Sequence, residues 1–194
     1  MSALPKTYYS EQDYLELERK AEYKSEYFQG EIFAMAGASR NHNRITENLS
    51  IVIGGYLRGK SCQTFSSDLR VHIPANTLYT YPDIVIVCGK PEFLKDAALD
   101  TLLNPTAIIE VQSRSTVGYD REAKFQLYRE IPSFQEYILV DSEKVHAEVW
   151  YKPDSGFWTL RQETNKAADS LYLHSIDFTL PLSDVYALTE GLLP

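Results

Sequence analysis

The order of its apolar patterns marks this 194-residue chain as an α/β (α+β) protein with a mixed central sheet flanked by helices. Three observations lead there. Ile45, Leu49, Val52, Ile53 and Tyr56 recur at spacings of three and four, which is helical periodicity. Three β-rich runs follow, at 62–73, 82–88 and 105–112. A second helical stretch near 120–130 and a buried strand at Tyr137-Ile138-Leu139-Val140 complete the order helix, three strands, helix, strand, or αβββαβ.

Each element has a local reason. Ser10 with Asp13 three residues later forms a variant of the capping box, so a short helix carrying Tyr14, Leu15 and Leu17 should start there and end before Ser25. From Glu26 the pattern turns β-like: Tyr27-Phe28 and Ile32-Phe33 flank Gln29-Gly30, where glycine supplies the positive φ of a hairpin turn. The long helix is expected from about Asn41 to Arg58, started by Ser39 or Asn41 and stopped at Gly59. Cys62 to Ile73, rich in Thr, Phe, Val and Ser and closed by Pro74, reads as one strand. A polar connection with Glu92, Lys95, Asp96 and Asp100 separates the next two strands. Asp120 introduces the second helix and Pro132 stops it. Val145, Val149 and Tyr151 face Phe157, Trp158 and Leu160 around Asp154-Ser155-Gly156 in a carboxy-terminal β-hairpin whose tryptophans read as core, and a short helix near 183–188 closes the chain. No repeat or linker interrupts the pattern, so residues 1–194 are expected to form a single domain.

Composition restricts function. A formal net charge of −8 argues against a surface broadly devoted to polyanions, because non-specific nucleic-acid affinity comes mainly from Lys and Arg at phosphates. A local basic groove is still expected between positions 40 and 70, where Arg40, Arg44, Arg58, Lys60 and Arg70 outnumber Glu47 and Asp68, while the acidic stretch from Glu11 to Glu31 would steer a polyanion to one face. No apolar run approaches the roughly 18 to 20 residues that cross a bilayer, so no membrane insertion is expected. Cys62 and Cys88 sit in strand-like contexts and no apolar signal core opens the chain, which points to a reduced, cytoplasmic protein without a structural disulfide.

Gly54 to Ser61 spells G-x-x-x-x-G-K-S, the phosphate-cradling P-loop pattern. That mechanism needs a strand before the loop and a helix after it, so that N–H groups at the helix start meet the phosphates. Here helical spacing precedes and β-rich sequence follows, so the segment reads as a helix end with a glycine stop; a nucleotide hydrolase would require ATP affinity dependent on Lys60.

The chemistry is expected elsewhere. Tyr81-Pro82-Asp83 opens Ile84-Val85-Ile86-Val87, and Glu110-Val111-Gln112 closes Ala107-Ile108-Ile109. If these runs pair antiparallel, the start of one lies beside the end of the other and two carboxylates meet at the sheet rim. Such a pair suits Mg²⁺, a hard ion that takes oxygen ligands and retains waters. Glu110 and Gln112 share a strand face by period two, and Lys124 shares a helix stripe with Asp120 and Tyr128, from which its ammonium could orient water or offset phosphate charge. His42, at a helix start, is a candidate for phosphate contact, proton transfer or capping, and Asp68 and Glu31 are candidates for an outer shell. His72, His146 and His174 show no spacing with Cys that supports a zinc site.

Pro82-Asp83 followed by Glu110-Val111-Gln112, within this element order, resembles the PD-(D/E)XK nuclease superfamily and its restriction-endonuclease-like core. Tyr81-Pro82-Asp83-Ile84-Val85, Asn104-Pro105, Ser113, Ser115-Thr116, Tyr119-Asp120-Arg121, Lys124-Phe125, Tyr128-Arg129 and Pro132-Ser133 resemble the Uma-two family of bacterial restriction endonucleases within it, as do Gly30–Ser39, His42-Asn43-Arg44-Ile45 and Ser67–Val71. The resemblance implies a metal-dependent endonuclease acting on DNA with Mg²⁺, for which Mn²⁺ substitutes. It makes Asp83, Glu110 and the Val111 carbonyl metal ligands, and Asp83, Glu110, Gln112 and Lys124 the catalytic set. His42, Arg44, Arg121 and Tyr128 would support or bind substrate. The superfamily pattern places lysine at position 112, where this chain has Gln112; Lys124 resembles the lysine of families that have moved it. The competing expectation is a weakly active or inactive module that binds nucleic acid or a protein partner. A homodimer is expected if both strands of a duplex are cut.

Overall fold

The computed structural model describes residues 7–95, 100–114, 116–154 and 156–193; Asp96, Ser115 and Ser155 of the segments above lie outside them. The chain begins with α1 (Glu11–Glu18), the hairpin β1 (Ser25–Phe28) and β2 (Glu31–Ala34), and α2 (Arg40–Leu57). Then come β3 (Cys62–Ser66), β4 (Arg70–Ile73), β5 (Leu78–Thr80), β6 (Ile84–Cys88), β7 (Thr101–Leu102) and β8 (Ala107–Gln112). A helical segment over 117–128 is made of α3 (Val117–Tyr119), a π-helical turn (Asp120–Lys124) and α4 (Phe125–Tyr128). It is followed by β9 (Glu136–Asp141), β10 (Ala147–Tyr151), β11 (Thr159–Thr164), β12 (Ser170–Leu173), β13 (Phe178–Pro181) and α5 (Leu182–Val185).

The central sheet runs β11-β10-β9-β8-β6-β3. β3, β6 and β8 form an antiparallel meander, whereas β8 and β9 are parallel, joined over the sheet by the 117–128 helix. Period two sends alternate residues of the inner strands into two cores. Ile84, Ile86, Ile109, Val111, Ile138 and Val140 meet Ile45, Leu49, Ile53 and Leu57 of α2, a stripe at four-residue spacing. Each such aliphatic contributes about 2 kcal/mol by leaving water. Val85, Val87, Ile108, Tyr137 and Leu139 point the other way, to Phe125 and Tyr128. A second sheet, β2-β1-β5-β4-β7, covers this face through Val71, Ile73, Leu78 and Leu102, and a tyrosine cluster of Tyr14, Tyr27 and Tyr79 seats α1 on it.

Several expectations need correction. The stretch 62–73 is two strands in different sheets: a turn closed by the Leu69 N–H to the Ser66 carbonyl (3.1 Å) lets β3 pair with β6 and β4 with β5. β5 and the β12–β13 hairpin were not foreseen; each of these strands is only three or four residues long. The strand expected from 82 begins at Ile84, since Pro82 has no N–H for a ladder. Cys62 and Cys88, expected as thiols, form a disulfide because the β3–β6 register sets them directly opposite. The Gly54–Ser61 segment is the helix end that its spacing predicted: Gly54 and Gly55 lie inside α2, Gly59 follows its end at φ +79°, and β3 comes next.

Candidate functional site

The β6–β8 register, Ile84 against Ile109, extends to place Asp83 beside Glu110. The Val111 N–H donates to Asp83 Oδ2 at 2.7 Å, and the Asp83 N–H donates to Glu110 Oε2 at 3.4 Å, so the two acids continue the ladder beyond Ile84 with side-chain bonds. Glu110 Oε1 accepts from the Tyr128 hydroxyl at 2.7 Å and lies 3.1 Å from Lys124 Nζ. Lys124 Nζ is also 3.0 Å from Glu26 Oε1 and 4.0 Å from Asp120 Oδ1. The Thr80 hydroxyl donates to the same Glu26 oxygen. Lys124 reaches this point from the π turn, whose extra residue per turn aims Asp120 and Lys124 at one spot; such turns recur at functional sites.

His42 arrives from the opposite layer. Its backbone N–H is capped by the Ser39 hydroxyl at 3.2 Å, and its imidazole reaches the sheet rim, where Nε2 lies 3.3 Å from Asp83 Oδ2. Burial disfavours its charged form, but Asp83 and Asp120 outweigh this and raise its pKa.

Burial is the main electrostatic influence on the inner acids. It pushes Glu110 up to about 8 against the pull of Lys124, and it raises Asp120 likewise. Burial would also strip the proton from Lys124, but Glu110, Glu26 and Asp120 prevail and hold it as an ammonium. Carboxyl groups thus outnumber cations here, and the donors at the rim are hard oxygens of the type that suits a divalent ion.

Other expected site residues are placed differently. Gln112 is buried, and its amide donates to the Val117 carbonyl at 3.3 Å, tying the strand end to the start of the helix. Arg121 pairs with the buried Glu148, which also accepts from the Trp150 indole at 2.9 Å, so its charge holds the helix to β10. Arg44 is exposed on α2. The basic groove does not form: Arg70 is buried against Thr101, Tyr14 and Tyr79, and Arg40 pairs with Glu190 at 2.8 Å. Asp68, exposed, pairs with Lys24 at 3.0 Å.

Sequence reasoning missed Glu26 and Thr80 altogether. By period two Glu26 shares its strand face with Phe28, which packs against the second core, but the strand pattern carries no signal for its meeting with Lys124. His146 was also passed over as a ligand. With Glu148 and Glu163 it offers ligand atoms all within 4.8 Å of one another, because β10–β11 pairing sets the two glutamates opposite. A concavity of about 620 Å³ lies beside this second group. Its inner carboxylate is already neutralised by Arg121 and contacted by His146 at 3.1 Å.

The architecture is a restriction-endonuclease-like α+β fold, and a crystal structure titled as that of a "putative nuclease belonging to DUF820" from Anabaena variabilis shares it. That protein superposes with a TM-score of 0.70 over 92% of this chain and 98% of its own, at 18% identity. The chain belongs to the Uma2 family, described as "Putative restriction endonuclease", whose model matches residues 11–183. Two uncharacterized proteins of Synechocystis sp. are similar over most of their length. The protein slr1290 is 37% identical over 177 residues, covering 91% of this chain and 90% of its own; sll1609 is 38% identical over 157 residues, covering 81% and 88%.

Proposed function

We propose that the chain is a divalent-metal-dependent endonuclease that hydrolyses DNA phosphodiester bonds at the Asp83–Glu110 rim. The observation behind it is the juxtaposition of Asp83 and Glu110 across β6 and β8 with Lys124 Nζ 3.1 Å from Glu110. The family description and the nuclease title of the Anabaena structure point the same way. Asp83, Glu110 and the Val111 carbonyl would hold Mg²⁺, with Mn²⁺ as a substitute. Bound there, such an ion would polarise a phosphoryl oxygen and make water more acidic.

The protein's own groups have separate tasks. Glu110 is steadied by the Tyr128 hydroxyl, so one of its oxygens keeps a fixed direction. Lys124, kept cationic by its carboxylates, offsets charge building on the phosphate or orients the attacking water. Glu26 and Asp120 keep that ammonium in place. Gln112 fixes the start of the helix that carries it. Residues 1–194 act as one nuclease-like domain, and paired cuts would use two copies of the chain.

The test is cleavage of duplex DNA with Mg²⁺ or Mn²⁺. Asp83→Asn should lose about 100-fold or more of the rate, the usual cost of removing a group that stabilises developing charge, with unfolding behaviour retained. Equal activity in that variant would end the assignment. A second reading, a module that binds nucleic acid or a protein without cutting, is favoured by one observation: the residue at the superfamily's lysine position is a buried structural glutamine. Calorimetry separates the two, since a protein that takes up neither ion at millimolar concentration fits only the second.

A further inference from the structure

His42 has no work to do in its own helix. Ser39 caps its N–H, and its carbonyl accepts from the Thr46 hydroxyl at 2.9 Å. Its imidazole instead lies against Asp83, with Nε2 3.3 Å from Oδ2, one of the groups assigned above to the ion. With side chains 16% and 17% exposed, His42 and Asp83 form the solvent-facing edge of the cluster, whereas Glu110 and Lys124 are at its buried end, 5% and 7% exposed. An ion entering from solvent therefore meets the imidazole and the Asp83 carboxylate together.

We propose that His42 is a third side-chain ligand of the metal through Nε2, making a mixed nitrogen and oxygen donor set that prefers Mn²⁺, and transition ions generally, to Mg²⁺. The inference rests on the Asp83–Glu110 reading and extends it. Imidazole nitrogen binds first-row transition ions well, whereas Mg²⁺ favours carboxylate, carbonyl and water oxygens. Nε2 lies 3.3 Å from Asp83 Oδ2; coordination of an ion would take the place of that contact, with the Asp83 oxygen turned to the same ion. Lys124 cannot take this role, since its ammonium has no lone pair to give.

The full chain is titrated with Mn²⁺ and with Mg²⁺, and the bound Mn²⁺ is examined by pulsed electron paramagnetic resonance for coupling to a histidine nitrogen. In the wild type we expect nitrogen coupling. In His42→Ala and His42→Gln it should vanish, with Mn²⁺ affinity down about tenfold or more and Mg²⁺ affinity nearly unchanged. Asp83→Asn should bind neither ion well, and His146→Ala should keep the coupling. If wild-type Mn²⁺ shows no nitrogen coupling, or if His42→Ala binds Mn²⁺ as the wild type does while Asp83→Asn does not, His42 is no ligand and the carboxylate site stands without it. Loss of the coupling in His146→Ala would move the ion to the second group and overturn the proposal. Equal binding by Asp83→Asn, or none by the wild type, would remove the carboxylate site itself.

Discussion

Lys124 shows how one side chain is set by opposing influences. Burial disfavours its cation, three carboxyl groups favour it, and the carboxyl groups prevail. Removing the ammonium leaves Glu110, Glu26 and Asp120 crowded without a counter-charge. Breaking a buried ion pair from one side costs about 3 to 5 kcal/mol, so Lys124→Met should lose both cleavage and stability, the latter read as a lower midpoint in urea. Asp83 and Glu110 were legible because two adjacent apolar runs fix their own register, and the acids sit where that register begins and ends. Glu26 was not, since its strand belongs to another sheet and meets Lys124 only through the packing of one sheet on the other. His72 gives a separate forecast. It is stacked on Tyr79 at 3.8 Å with Nδ1 3.0 Å from the Leu78 carbonyl, and burial lowers its pKa below 6.5. Well above pH 6.5 it is neutral whether folded or unfolded. As pH falls through 6.5 the unfolded chain takes the proton first, so stability drops until the folded pKa is passed. Thermal unfolding between pH 8 and 5 should show this decline, and His72→Gln should reduce it.

The helical segment over 117–128 is the element on which the site depends. It is short and its π turn is irregular, so it cannot be rigid alone. Its attachments supply what its length does not. Gln112 holds the Val117 carbonyl, the Tyr137 hydroxyl donates to the Asp120 carbonyl at 3.1 Å, Arg121 reaches Glu148, and Phe125 packs on Tyr137 and Trp150. Arg121→Met should cost about 1 to 3 kcal/mol, less than a fully buried pair because Arg121 is half-exposed. Cleavage should fall further than metal affinity does, since Lys124 is displaced while Asp83 and Glu110 stay on their strands. Urea unfolding, cleavage rate and calorimetry check this together. Apolar spacing gave the helix's place near 120–130. The π turn left no mark in that spacing, because its extra residue is absorbed by contacts with strands on either side in space.

Across the molecule, two sheets share the face that carries Phe125 and Tyr128, and a disulfide ties the edge strand β3 to β6. The bond closes a loop with a sequence separation of 26 residues. By loop-closure entropy, opening it should cost about 3 to 4 kcal/mol. Cys62→Ser with Cys88→Ser should lower the midpoint in urea accordingly, and reductant should do the same to the wild type. No helix among the described residues is long and apolar enough to cross a membrane. Short-range order in the amino-acid pattern was enough to set the αβββαβ succession and the α2 stripe, because helix and strand periods act over a few residues; the pairing of Asp83 with Glu110, 27 residues apart, followed only from taking their two strands as antiparallel neighbours. Folding in three dimensions alone could bring in Glu26, the His42 ring, the Arg121–Glu148 pair and the Cys62–Cys88 bond, since each joins elements whose separation along the chain leaves no trace in local periodicity.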